Sequence, residues 1–156
     1  MTAPFQSVEL KDSHPLHGGQ LLDIRGDGRL YAQVVFWDRD KRAFQVKRYQ
    51  TVLPPTAIKE LADLVDKHSF FSLAIPERAG IPEESHPTIT VIRDANNSRS
   101  VSKWGNDKQA DFDAIYGALL DLIRKAQATP PSFTGPYDSR WKPTPGTDDL
   151  PGGNRR

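Results

Sequence analysis

The sequence contains no cysteine among its 156 residues. Disulfide bonds, thiolate catalysis and cysteine-ligated zinc or iron–sulfur sites are therefore excluded for this chain. An excess of charge of one sign is also missing, because 21 Lys and Arg residues stand against 20 Asp and Glu residues. Such a balance excludes a strong whole-protein field that would draw the chain to nucleic acid or anionic lipid, although it leaves room for a local patch.

Long apolar runs are missing as well. No stretch approaches the roughly 20 residues that a helix needs to span a bilayer. The first seven residues carry neither the basic region nor the apolar core of a secretory signal peptide. From these features we expect no membrane attachment and a cytoplasmic location.

The motifs of the common enzyme classes are absent from the sequence. There is no Gly-x-Ser-x-Gly elbow, and no glycine-rich loop joins a strand to a helix as in nucleotide-binding sites. What remains are isolated histidines and loop carboxylates: His14, His17, His86, Glu77, Glu83 and Glu84. A small hydrolase or metal-dependent enzyme built from these groups is one alternative, but solvated loop charges are the simpler explanation. We therefore assign no catalytic residue, no metal ligand and no cofactor from the sequence.

Proline and glycine divide the chain into three parts. Residues 127–156 contain six prolines and four glycines, a density that predicts a disordered tail. Residues 1–19 are polar and interrupted by proline and glycine, so they predict an irregular lead-in. The domain itself is predicted over residues 20–126.

Hydrophobic periodicity predicts the elements of this domain. Leu22 and Ile24 alternate with polar residues as in a half-buried strand, and an Asp-Gly turn follows them. Apolar residues recur at helical spacing after Pro55 and again from Phe112 onward. The predicted order is β-β-β-α-β-β-α, with short hairpins. This pattern favours an α+β fold in which an antiparallel sheet of about five strands packs both helices on one face.

Alternation along the strands separates the two faces of the predicted sheet. The face predicted to meet the helices carries Leu22, Ile24, Leu30, Val34, Phe36, Phe44, Val46, Ile89, Val91 and Val101. The opposite face carries Tyr31, Val35, Trp37, Gln45, Lys47, Tyr49, Thr88, Thr90, Ile92, Ser100, Ser102 and Trp104. Four large aromatic side chains on a solvent-facing sheet predict a partner, because Tyr and Trp bury area while keeping a polar group. Cross-strand aromatic pairs that only stabilise the sheet are the alternative.

A locally basic stretch raises a second alternative function. Lys41, Arg42, Lys47 and Arg48 lie close to Tyr49, and basic residues interleaved with aromatics bind single-stranded nucleic acid. Lys47 and Arg48 are neighbours in a strand, however, so they should point to opposite faces. Single-stranded nucleic-acid binding therefore stays a minor hypothesis.

The tail contains three aromatic residues spaced four apart: Phe133, Tyr137 and Trp141. Aromatic residues are uncommon in flexible linkers. They either fold back over the open sheet face or are offered as a motif to another protein.

Together these features favour a non-enzymatic accessory module that binds a protein or peptide. The predicted binding residues lie on the aromatic sheet face and on the proline-rich loop of residues 75–87: Tyr31, Trp37, Lys47, Tyr49, Trp104, Glu77 and Arg78. Tail contacts through Phe133, Tyr137 and Trp141 would add to this surface.

The Asp27-Gly28 turn, the Leu61-x-x-Leu64-Val65 helix and the Phe70-Phe71 pair after it carry a resemblance to a known kind of domain. With the later strands, the run over about residues 18–126 resembles small uncharacterised bacterial α+β domains. The resemblance implies an α+β fold and a bacterial source, and it implies no activity.

Overall fold

The computed structural model describes residues 3–14, 18–138 and 140–141. Within them, one antiparallel sheet of seven strands is joined by two helices, so the predicted α+β class is confirmed. The strands are β1 (Ser7–His14), β2 (Gly18–Arg25), β3 (Arg29–Asp38), β4 (Ala43–Val52), β5 (Thr88–Asp94), β6 (Asn97–Ser102) and β7 (Phe133–Pro136). The helices are α1 (Pro55–Lys67) and α2 (Ala110–Ala126), with a 3-10 turn at Phe70–Ser72. Across the sheet the strands run β6-β5-β1-β2-β3-β4-β7.

Two strands lie where the sequence predicted irregular structure. β1 falls within the predicted lead-in, yet it pairs with both β2 and β5 at the centre of the sheet. Val8 and Leu10 are fully buried and alternate with Glu9 and Lys11, which is the period-2 pattern of a half-buried strand. The surrounding proline and glycine residues concealed this short alternation. The sheet therefore has seven strands rather than five.

The register of β4 corrects the predicted faces of the sheet. Tyr49 pairs with Ala32 and faces the helices, whereas Val46 pairs with Val35 and faces away from them. The β3–β4 turn closes at the pair Asp38–Ala43, and a shift of one residue turns every side chain of a strand over. The prediction was therefore wrong for Phe44 and Val46, and equally wrong for Gln45, Lys47 and Tyr49.

The core lies between one face of the sheet and the two helices. Each helix buries one stripe of apolar side chains against the inward-facing side chains of the strands, and together they form one hydrophobic cluster. The helical stripes include Ile58, Leu61, Phe112 and Leu119. His68 at the end of α1 also contacts Asp111 at the start of α2, with 2.8 Å between Nδ1 and Oδ1. No helix in the described part of the chain is long and apolar enough to cross a membrane.

The opposite face of the sheet, called here the outer face, is partly covered by residues 133–138 and 140–141, the C-terminal segment. Its strand β7 pairs with β4 at the sheet edge. The guanidinium of Arg48 lies between the rings of Phe133 and Trp141, 4.4 and 4.1 Å from their centroids. Of the two alternatives for the tail aromatics, the structure thus shows contact with the sheet. The predicted absence of regular structure in the tail is wrong for residues 133–136.

Candidate functional site

A groove of about 500 Å³ lies beside the edge strand β6, and we call it the β6 groove. One side is formed by residues 73–78, the segment that leads into the proline-rich loop. The other side is formed by residues 99–104 together with His86. The groove therefore runs along a sheet edge, with one wall of apolar and charged side chains and an aromatic ring at its end.

The backbone of β6 presents hydrogen-bonding groups to this groove. Lys103 donates its backbone N–H to the Pro87 carbonyl at 3.2 Å. Hydrogen-bonded pairs alternate along an antiparallel ladder, so Val101 also bonds to β5, while Ser100 and Ser102 turn their N–H and C=O groups outward. Within the described residues, no backbone group bonds to these outward groups. Ser100 is exposed, so a new strand can reach it from solvent.

An ion-pair network holds the proline-rich loop beside the groove. Arg78 donates from Nη2 to Glu84 Oε2 at 2.5 Å and to Asp107 Oδ1 at 3.0 Å. The Glu84 side chain is 1% exposed, and it also accepts the backbone N–H groups of Ile81 and Asn106. These bonds join the two ends of the loop to the connection between β6 and α2. The wall of the groove is therefore fixed before any partner arrives.

The network also sets the ionisation of its carboxylate. Hydrogen bonds from the Arg78 guanidinium, assisted by the backbone N–H groups of Asn106 and Ile81, lower the pKa of Glu84 to about 2, although burial opposes this shift. The same contact with Glu84 raises the pKa of Arg78. Both groups are therefore charged across the neutral pH range.

Trp104 closes one end of the groove. Its ring stacks on His86 with centroids 3.9 Å apart, and its Nε1 donates to the Arg78 carbonyl at 3.0 Å. Gly80 lies against the ring, and a Cβ at this position would come within 2.2 Å of it. Trp104 is therefore held from three sides while part of its surface stays exposed.

The seven predicted binding residues do not form one surface. Trp104, Glu77 and Arg78 come together at the β6 groove. Tyr31 and Trp37 lie on the outer face, where Tyr31 is only 5% exposed and Trp37 is 52% exposed with its ring edge-on to Phe44. Lys47 and Tyr49 are on the helix side, and Tyr49 belongs to the core. The predicted site therefore separates into one cluster at the groove and four residues elsewhere.

The residues of the enzyme and nucleic-acid alternatives have other contacts. His86 stacks on Trp104, Glu84 binds Arg78, and His17 lies outside the described residues. Over residues 3–14, 18–138 and 140–141, no three His, Asp or Glu side chains converge as metal ligands. Lys47 and Arg48 point to opposite faces of β4, as the sequence predicted.

A second concavity of about 320 Å³, the sheet-face cavity, lies between the outer face and the C-terminal segment. Its floor is formed by strands β1, β2 and β3, and Tyr137, Asp138 and Trp141 form a wall. The sequence does not predict this cavity, because β1 falls in the predicted lead-in and β7 in the predicted tail. The alternation of apolar and polar residues at positions 7–12 is the signal that predicts β1, which forms part of this floor.

Comparison of the chain with protein-family models, with curated proteins and with solved structures finds no match. The resemblance to small bacterial domains therefore stays a prediction.

The Glu84 network gives a pH-dependent prediction. A carboxyl group whose pKa is lowered by folding stabilises the native state above its ordinary pKa, 4.5 for Glu, and loses that effect as the pH falls toward about 2. We expect acid to weaken the wild-type protein across this window, and we expect Glu84→Gln to flatten the dependence because the amide does not titrate. Urea unfolding measured between these pH values would check it, with the exposed Glu60→Gln as control. Equal pH slopes for wild type and Glu84→Gln would contradict the assignment.

Proposed function

We propose that this protein is a non-enzymatic, peptide-binding accessory module. In this proposal, an extended segment of a partner protein lies in the β6 groove and adds a strand to the sheet. The observation that carries the proposal is the row of outward backbone groups on β6 beside a wall that is already in place. Strand addition takes its affinity from such backbone groups and its specificity from the side chains around them.

The two edges of the sheet differ in a way that supports this assignment. At one edge, residues 45–48 of β4 are covered by the chain's own strand β7. At the other edge, the outer side of β6 carries no strand from the described residues. Natural proteins usually cover or blunt an edge strand, because exposed backbone groups invite pairing with other chains. An uncovered edge that faces a groove is therefore suited to a partner.

The walls of the groove indicate what kind of segment fits. Leu73 and Ile75 are half-buried on one side of the groove and pack against the hydrophobic core. Successive residues of an added strand point to opposite sides, so every second residue of the peptide would face these apolar side chains. The same wall also carries the exposed and oppositely charged side chains of Glu77 and Arg78. The segment that fits is extended and alternately apolar, with polar side chains where it passes these two charges.

Preorganisation lowers the cost of this binding. Ordering a loop during association reduces affinity, because conformational entropy is lost at that moment. The loop behind the groove is already tied by Arg78 to Glu84 and Asp107. The free energy gained from the backbone hydrogen bonds is therefore not offset by the entropy cost of ordering the loop.

A single proline substitution tests the proposal. The N–H of Ser100 points away from β5, so Ser100→Pro removes an outward donor and leaves the pairing with β5 in place. Peptides of about ten residues are first selected from a random display library on the wild-type protein. We expect the affinity of these peptides for Ser100→Pro to be about tenfold or more weaker than their affinity for the wild type. Fluorescence anisotropy with synthetic copies of the selected peptides gives the affinities.

Ser100→Ala is the matched control, because it also removes the hydroxyl contact with Thr90 and keeps the backbone N–H. This variant should bind within about twofold of the wild type. Failure to select any peptide, or equal binding on Ser100→Pro, would refute the assignment. A wild-type dimer that Ser100→Pro converts to a monomer would show instead that a second copy occupies the edge.

A further inference from the structure

The sheet-face cavity is separate from the β6 groove and has a different chemistry. Its volume of about 320 Å³ lies at the lower end of the range for small-molecule sites. Charged, amide and aromatic side chains line it together. This combination suits a small polar ligand rather than a peptide strand.

Three residues in one row across the sheet form the centre of the floor. Leu21 of β2 pairs with Lys11 of β1 on one side and with Gln33 of β3 on the other. Neighbouring strands lie about 4.8 Å apart, so Lys11 and Gln33 flank Leu21 at a Cα separation of about 10 Å. A group placed above Leu21 is within reach of both polar side chains.

The two flanking side chains provide hydrogen-bond donors. Gln33 is 3% exposed, and its Oε1 accepts from Arg48 Nε at 2.9 Å. Arg48 occupies the amide oxygen, so the amide nitrogen is the end of this side chain that can donate to a ligand in the cavity. Lys11 forms no ion pair within that part of the chain. Both groups are donors, and a carboxylate matches an ammonium beside an amide.

The next row along the strands has the opposite character. Glu9 of β1 pairs directly with Asp23 of β2, so two carboxylates lie side by side. Asp23 binds Arg25 at 3.0 Å, and Glu9 accepts from Ser7. Successive rows on one face are separated by about 7 Å along a strand. Two carboxylates, one of them paired with Arg25, therefore lie about 7 Å from the Lys11 ammonium row, a distance that a small zwitterion can bridge.

Part of the remaining lining is apolar and aromatic. Val35 continues the floor, and Tyr137 and Trp141 stand at the wall. Aromatic rings offer a large contact area at a low cost in conformational entropy.

We propose that the sheet-face cavity binds a free amino acid with an aromatic or branched side chain. Lys11 and Gln33 bind its carboxylate, and the ammonium faces Glu9 and Asp23. Its side chain lies against Val35 and the aromatic wall. No bond is made or broken, so the site is one of recognition.

Three ligands of the same size separate the parts of this proposal. L-phenylalanine carries both charges, 3-phenylpropanoate lacks the ammonium, and phenethylamine lacks the carboxylate. We expect chemical-shift changes on the full chain at cavity residues with L-phenylalanine, and affinity about tenfold or more weaker for each of the other two. No shift with L-phenylalanine up to about 10 mM, or equal binding of either analogue, would overturn the proposal.

Variants of the floor provide the matching controls. Gln33→Glu keeps the acceptor for Arg48 and removes the amide donors, so it should lower the affinity for L-phenylalanine about tenfold or more. Lys11→Gln should weaken binding in the same direction, whereas Lys125→Gln on the exposed face of α2 should not. A wild-type affinity in both Gln33→Glu and Lys11→Gln would assign the shifts to another surface. Because β6 takes no part in this cavity, Ser100→Pro should bind L-phenylalanine normally, which distinguishes this test from that of the groove.

Discussion

Gly19→Ala is expected to lower the free energy of unfolding by roughly 3 kcal/mol or more. Gly19 has φ of +150°, and a Cβ at this position would lie 1.9 Å from the Asp12 carbonyl oxygen and 2.7 Å from the Ser13 Cα. These are backbone atoms of the neighbouring strand β1, so no side-chain rotation relieves the overlap. The alanine would force β1 and β2 apart at the centre of the sheet and break the ladder there.

Gly117→Ala is the matched control for this substitution. Gly117 lies in the helix α2, and a Cβ there would meet nothing within 4 Å. Alanine is the better helix former, so this variant should be more stable than wild type by about 0.5–1 kcal/mol. Urea unfolding followed by circular dichroism measures both changes. If Gly19→Ala unfolded at the wild-type urea concentration, the pairing of β1 with β2 at this point would be wrong.

The same glycine shows why the sequence predicted only part of the sheet. Gly18 and Gly19 suggested an irregular lead-in, because glycine weakens the interior of a strand. In the structure they begin β2, where the backbones of β1 and β3 approach too closely for a side chain. A local pattern cannot reveal such an approach, because the neighbours come from elsewhere in the chain. The two helices, by contrast, were predicted from spacing that depends only on their own residues.

The candidate site, like the sheet, was predicted only in part from the sequence. Trp104, Arg78 and Glu77 were predicted as binding residues from their type, and they do lie together at the groove. The outward backbone groups of Ser100 and Ser102 were not predicted, since they depend on the pairing of β6 with β5 and on its place at the sheet edge. Lys47 and Tyr49 were assigned to the wrong face because the turn before β4 sets its register. Side-chain chemistry is visible in a sequence, whereas edges and registers come from the tertiary fold.

Removal of residues 133–141 is also expected to lower the free energy of unfolding strongly. Phe133 and Trp141 are half-buried on either side of Arg48, and full burial of one large apolar side chain contributes about 1.5–3 kcal/mol. Their loss together should lower stability by about 2 kcal/mol or more. It would also uncover residues 45–48 at the edge of β4 and so promote self-association.

The comparison uses two truncated chains, one that ends at residue 132 and one that ends at residue 141. Both lack residues 142–156, so their difference isolates the C-terminal segment. We expect the shorter chain to unfold at lower urea concentration and to show larger particles by light scattering. It should also lose binding of L-phenylalanine, because the wall of the sheet-face cavity would be gone. Equal stability of the two chains would mean that the segment does not belong to the fold, whereas a less stable chain that still binds L-phenylalanine would place the ligand outside this cavity.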